Sequence, residues 1–339
     1  MIIALTAFTR QGAALARSLS AALEQEGHQC ALSLPRSLGK AFHHPQTYAS
    51  VGTWAKKQFS KAGALIFVGA AGIAVRAIAP CVKDKFTDPA VLSLDELGRF
   101  VIPLLSGHVG GANQLARRIA TLTGGTAVIS TATDVNGLFA VDEWAAQRDM
   151  SITDRALAKE ISAALLRGDP VGFVSDFAHA CPEDLHPGSA ALGVWVTYRA
   201  AAGPHSRTLR LIPRRLYLGI GCRKGSSEAA IRAAVDEALA GIAPAAVAGV
   251  GTIDLKREEE GLLAFCRRRS LPLTFFTADE LSAQPGTFTP SRFVQSITGV
   301  DNVCERAAAA LSLGPVVLPK RTRDGVTVAI AERRADALV

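Results

Sequence analysis

The stretch Phe100-Val101-Ile102-Pro103-Leu104-Leu105-Ser106-Gly107-His108-Val109-Gly110-Gly111-Ala112-Asn113 decides how this chain is read. Its first six residues have the pattern of a buried strand. Downstream, Leu115, Ile119 and Leu122 recur at helical spacing, so the glycines fall at a strand-to-helix turn. Such a turn offers unpaired N–H groups, lets a ligand approach the backbone and favours negative charge, which suits a carboxylate, a phosphate or a developing oxyanion. His108 adds a group that exchanges protons near neutral pH. Spacing alone favours a tight turn whose histidine bonds a carbonyl.

Outward from this unit the same alternation repeats. Strand-like and helix-like segments follow one another at 2–8, 12–25, 29–34, 54–61, 64–68, 72–78, 90–94 and 126–130. The pattern predicts an N-terminal parallel-sheet α/β domain over 1–141. Ligands in such sheets gather beyond the carboxyl ends of the strands. Three turns there, Gly69-Ala70-Ala71-Gly72, Ser106 to Gly111, and Thr131-Ala132-Thr133-Asp134, are therefore expected to converge on one crevice. Over 142–214 a helix-like segment gives way to short strands among Pro182, Pro187, Gly188, Gly203, Pro204 and Pro213, as in a small variable α+β linking domain. His179, His186 and His205 lack ligand spacing and read as loop surface.

A second α/β domain is predicted over 215–339. It opens with Leu216-Tyr217-Leu218-Gly219-Ile220-Gly221-Cys222-Arg223-Lys224-Gly225, and Ser226 or Ser227 is placed to cap the helix that follows. The glycine spacing is not the dinucleotide fingerprint and no Walker lysine follows, though the turn could hold an anion. Cys222, beside Arg223 and Lys224, has surroundings that could lower a thiol pKa; a lone cysteine of this kind reads first as a small packing residue. Lys256 lies just past a strand end.

Composition excludes several classes. The formal net charge of +7 suits an anionic partner, but the basic runs at 267–269 and 320–323 are brief and only 6% of residues are aromatic, which argues against nucleic acid. No stretch reaches membrane-spanning length, and the apolar run 1–8 is short and lacks a basic leader. Six cysteines without a C-x-x-C pair argue against a zinc site and a disulfide framework. A cytoplasmic protein is expected.

With these residues in view, the chain resembles the CbiG family, the cobalt-precorrin-5A hydrolases of anaerobic cobalamin biosynthesis. The N-terminal part carries the resemblance in Gly72-Ile73-Ala74-Val75-Arg76, Ile78-Ala79-Pro80, Lys85 with Asp88-Pro89-Ala90-Val91, Asp95-Glu96-Leu97-Gly98, the turn from Ser106 to Asn113, and Thr131 to Asp134. The C-terminal part is similar to the family's C-terminal domain, also found as the separate protein CobE, through Gly219 to Gly225, Thr252-Ile253-Asp254-Leu255-Lys256, Glu260, Ser291, Phe293-Val294 and Val303-Cys304-Glu305. The middle part resembles the family least. Pro103 departs from the family pattern and, lacking an N–H, puts the pairing of its strand in question.

The resemblance implies a polyanionic cobalt-tetrapyrrole substrate with a δ-lactone, opened by water with loss of acetaldehyde. It implies no cofactor held by the protein alone, since cobalt arrives with the substrate. It points to His108 or Asp134 as activator of water and to N–H groups around Gly107, Gly110 and Gly111 as oxyanion donors. Arg76, Lys85, Asp88, Glu96, Ser106, Asn113, Thr131, Thr133, Cys222, Arg223, Lys224 and Lys256 are the further candidates for binding substrate. Asp134 as a cap and Asp88 as a turn residue are the structural alternatives. Transient contacts with other enzymes of the pathway and a homodimer stay open. A non-catalytic carrier of corrinoid intermediates is the competing function, and a nucleotide- or phosphate-using enzyme is a weaker one.

Overall fold

The computed structural model describes residues 1–84, 87–108 and 110–334. The chain divides into two compact units, Met1–Ala146 with Glu160–Asp169, and Gln147–Lys159 with Pro170 onward.

The first unit is built on a seven-stranded sheet: β1 (Ile2–Ala7), β2 (Gln29–Pro35), β3 (Thr47–Tyr48), β4 (Ala64–Val68), β5 (Ala90–Leu94), β6 (Phe100–Leu105) and β7 (Thr126–Ala127), in the order β3-β2-β1-β4-β5-β6-β7. Every residue of β4 and β5 is buried, as expected of strands covered on both faces. On one face, Ala13, Ala16, Leu19 and Leu23 of the helix Arg10–Gln25 and Leu115, Ala116 and Ile119 of the helix Ala112–Thr123 close the core. Thr9 caps the first of these, accepting the Gly12 N–H at 3.0 Å.

One pair departs from the parallel pattern. β5 and β6 form an antiparallel hairpin, with Val91 opposite Leu105 and Leu94 opposite Val101. Asp95 fixes the turn by accepting the N–H groups of Leu97 and Phe100, and Gly98 takes a φ of 70°. Pro103 is accommodated beside a register shift between Val91 and Leu92. Because β6 runs backwards, the turn that follows it lies beside the start of β5, whereas Gly69 donates to the carbonyl of Leu94 at its end. At about 3.3 Å per residue these two places are roughly 13 Å apart. The expected convergence of three turns is thereby corrected: Ser106 and Thr131–Asp134 meet at one sheet edge, and Gly69–Gly72 lies at the other.

The second unit holds two sheets. The first contains β8 (Met150–Ile152), β9 (Gly172–Ser175), β10 (His186–Pro187), β11 (Leu192–Val196) and β12 (Arg207–Pro213), in the order β10-β9-β11-β12-β8, parallel except for β8 against β12. His205, expected at the surface, is instead buried. It accepts the Ala190 N–H through Nδ1 and faces the Val194 carbonyl through Nε2, in space left by Gly172 and Gly193. The last sheet contains β13 (Leu216–Cys222), β14 (Val247–Ile253), β15 (Leu273–Phe276), β16 (Val316–Arg323) and β17 (Val326–Glu332), in the order β15-β14-β13-β17-β16. Among the described residues no helix is long and apolar enough to cross a membrane.

Candidate active site

The turn after β6 is shaped by close backbone packing. Ser106 has a φ of 57°, an uncommon conformation for a residue with a side chain, and its hydroxyl donates to the Asp88 carbonyl at 2.9 Å. A Cβ on Gly110 would come within 2.4 Å of the Ser106 Cβ. A Cβ on Gly107 would come within 2.8 Å of Asn113 Oδ1, so glycine there makes room for the asparagine. The turn also consumes helix-start donors: Gly111 donates to the His108 carbonyl, Ala112 to Ser106 and Asn113 to Gly107. This corrects the expectation for Gly111, whose N–H is not free. The N–H groups of Gly107 and Gly110 have no acceptor among the described residues.

The turn delivers His108 into a cluster of charges. His108 Nε2 lies 2.7 Å from Asp134 Oδ2, and Nδ1 lies 3.3 Å from Asp142 Oδ1. Asn113, on the first turn of the helix Ala112–Thr123, donates to Asp134 Oδ2 at 2.9 Å and to the Thr131 hydroxyl at 3.1 Å. One helical turn on, Arg117 pairs with Asp134 Oδ1 and reaches Glu143 at 3.9 Å. The Thr133 hydroxyl stands 3.4 Å from His108 Nε2. Both oxygens of Asp134 therefore already accept charge-assisted bonds. Both nitrogens of His108 face carboxylates, and ionised carboxylates can only accept, so the ring carries two hydrogens. In this geometry the doubly protonated His108 has no lone pair free to take a proton from water, and Asp134 already accepts three bonds, two at Oδ2 and one at Oδ1; the cluster is arranged to give a proton.

Electrostatics agree. Hydrogen bonding to Asp142, and then to Asp134, outweighs burial and pushes the His108 pKa up to about 9. Burial raises the carboxyls of Asp134 and Asp142, but the histidine beside both, and Arg117 beside Asp134, bring each below its ordinary value. A folded-state pKa above the unfolded imidazole value means that folding binds the proton. The stabilisation is complete below about pH 6.5 and fades as pH rises through about 9. The stability difference between wild type and His108→Gln, read from their melting temperatures, is expected to shrink by about 1–2 kcal/mol across that window. Thermal melts at half-unit steps of pH check this, and a difference constant with pH contradicts it.

His108, Asp134 and Glu143 also bring potential metal-ligating atoms within 4.8 Å of one another. Arg117 already reaches both carboxylates and supplies the positive charge a metal would bring. With three carboxylates against two cations, the cluster suits proton transfer better than capture of a peripheral substrate carboxylate.

The remaining candidates lie elsewhere. Asp88 is buried, and its carboxylate accepts the N–H groups of Lys83 and Asp84, which makes it an organiser of its own loop. Lys85 falls outside the described residues. Arg76 and Glu96 sit at the opposite sheet edge, where Glu96 accepts the Thr9 hydroxyl at 2.5 Å and Arg76 donates to the Gly72 carbonyl. In the second unit, Lys256 pairs with Glu259 at 3.3 Å, and Glu259 also accepts the Gly225 N–H. Arg223 packs against Gly325, and Lys224 is exposed. The expectation of a lowered Cys222 pKa is corrected: burial pushes the thiol up, and the nearby Lys256 only partly offsets it. Arg117, Asp142 and Glu143 escaped the sequence reading. Arg117 could have been found from its four-residue spacing to Asn113 on one helix face.

Comparison with known proteins covers nearly all of this chain. Family profiles described as Cobalamin synthesis G N-terminal, Cobalamin biosynthesis central region and Cobalamin synthesis G C-terminus match residues 53–134, 139–213 and 216–331. The central match includes the segment that resembled the family least on reading. It also contains Asp142 and Glu143, so the cluster joins two matched regions. A cobalt-precorrin-5A hydrolase of Salmonella typhimurium is 36% identical over 81% of this chain and 84% of its own length. Another, from Priestia megaterium, is 28% identical over 97% and 94%. A protein CobE of Sinorhizobium is 32% identical over 32% of this chain and 71% of its own length. With the three matched regions in sequence order and that identity to the Salmonella enzyme, this chain belongs to the CbiG family of cobalamin-biosynthesis enzymes.

Proposed function

We propose that this enzyme opens the δ-lactone of cobalt-precorrin-5A with water and releases acetaldehyde, giving cobalt-precorrin-5B. The observation that carries the reading is His108, held with one ring nitrogen facing Asp134 and the other facing Asp142, in the turn whose Gly107 and Gly110 N–H groups have no acceptor among the described residues. Water adds to the lactone carbonyl carbon and loses one proton to solvent, and those two N–H groups stabilise the oxyanion. The acyl–oxygen bond then breaks. His108 gives its proton to the departing alkoxide, which becomes the hydroxyl of the two-carbon fragment. Neutral His108 next takes that proton back as the hydroxyl oxygen becomes the aldehyde carbonyl and the carbon–carbon bond to the macrocycle breaks. The bonding pair passes into the conjugated ring, for which the cobalt-bearing macrocycle is the electron sink. The elements of water end as the hydroxyl of the freed carboxyl group and one hydrogen that offsets the pair taken by the ring.

In this reading cobalt enters only with the substrate, and basic residues outside the cluster, such as Arg76, are the candidates to hold its peripheral carboxylates. The six free cysteines agree with a cytoplasmic site of action. The test is the purified full chain with cobalt-precorrin-5A. One acetaldehyde per macrocycle is expected, with heavy oxygen from labelled water entering the new carboxyl group. Tight binding of the macrocycle with no acetaldehyde would overturn the reading in favour of a carrier.

A further inference from the structure

A neutral histidine could donate from Nε2 to Asp134 and keep Nδ1 as a free acceptor, so Asp134 alone does not make His108 an acid. The deciding group is on a different segment. Asp142 is the second residue of the helix Val141–Gln147, is mostly buried, and presents Oδ1 at 3.3 Å from His108 Nδ1. The same oxygen accepts the Glu143 N–H at 3.1 Å, which fixes its direction and favours the ionised form. The groups around the ring are completed by Asp134 from the helix Ala132–Val135 and the Thr133 hydroxyl; Arg117 and Glu143 act on the ring through Asp134 and through each other.

We propose that Asp142 is the positioning residue that keeps His108 an imidazolium through neutral pH and so makes this site a proton donor to the departing oxygen. The proposal rests on the reading of His108 given above. It assigns a role in the chemistry to a residue outside the glycine turn and outside Thr131–Asp134. The upward shift of the His108 titration, with Asp142 as its largest cause, has the sign this geometry requires.

The experiment pairs a titration with a rate. Ring-labelled histidine in the full chain reports the His108 charge by NMR, with His108→Gln identifying the signal. Wild type is expected to hold the charge through pH 8. In Asp142→Asn the midpoint falls towards the ordinary imidazole range by about one pH unit or more. The alkaline limb of kcat for acetaldehyde release is expected to move down with it, so that the rate at pH 8 drops about twofold for a fall of one unit and about tenfold for a fall of two, while the rate at pH 6 stays within about threefold of wild type. Asp142→Glu restores part of both shifts. An unmoved midpoint in folded Asp142→Asn, or a loss of rate equal at every pH, overturns the proposal. Absence of acetaldehyde from wild type overturns the reaction instead, and the titration reads the charge separately.

Discussion

Replacing His108 by glutamine is expected to lower kcat for acetaldehyde release by about 10²–10⁴-fold, the usual worth of a positioned general acid. Glutamine retains a donor for Asp134 but cannot lend and recover a proton. Asp134→Asn is expected to be severe as well, because it removes the acceptor shared by His108, Asn113 and Arg117 and leaves the guanidinium facing a neutral amide. The two changes act on one unit, so the double variant should lose little more than His108→Gln alone. Steady-state rates on folded proteins, with melts as control, decide this. A folded His108→Gln enzyme with near-normal kcat would remove the histidine from the chemistry. A rise in KM with kcat unchanged would leave it a role in holding the macrocycle.

Much of the cluster was legible before the structure because its parts sit on turns with strong local signals. Ser106 to Asn113 announces itself by three glycines between an apolar run and a helical period, and Thr131 to Asp134 follows a short strand in the same way. The direction of β6 runs against the strand–helix alternation. Its signal was nonetheless present: Asp95, two residues and Gly98 form a hairpin turn between two apolar runs, with Asp95 bonded to the N–H groups of Leu97 and Phe100. Reading those residues as a motif rather than a turn sends β6 the wrong way and places every strand-end loop on one edge. Asp142 was missed for another reason. Its contact with His108 spans the helix Ala112–Thr123, β7 and the helix Ala132–Val135, and no local periodicity encodes that approach.

Gly219→Ala is expected to destabilise the second unit by about 3 kcal/mol or more, beyond the usual cost of an overpacked core. From sequence, Gly219 belongs to a glycine-bearing turn suited to an anion. In the structure it lies inside β13, where the Cβ of an alanine would stand 1.7 Å from the Cys304 carbonyl oxygen and 2.8 Å from the Ala308 nitrogen. Both atoms are backbone of the helix Val303–Ser312, so no side chain can swing aside. Gly251 on β14 meets the same helix, with a Cβ position 2.8 Å from the Ala307 carbonyl oxygen. Strands with glycine on this face and a helix carrying Ala307, Ala308, Ala309 and Ala310 form one device, a close backbone approach that needs small residues from both partners. Gly225 separates this effect from that of glycine as such: its φ is 78°, but nothing lies within 4 Å of an added Cβ, so Gly225→Ala should cost only about 1 kcal/mol. Melting of the two variants should differ accordingly, with Gly219→Ala lower than wild type by roughly 6–12 °C or insoluble. A Gly219→Ala protein melting within about 2 °C of wild type would show that the helix can retreat from the sheet at little cost and would return Gly219 to consideration as a turn residue.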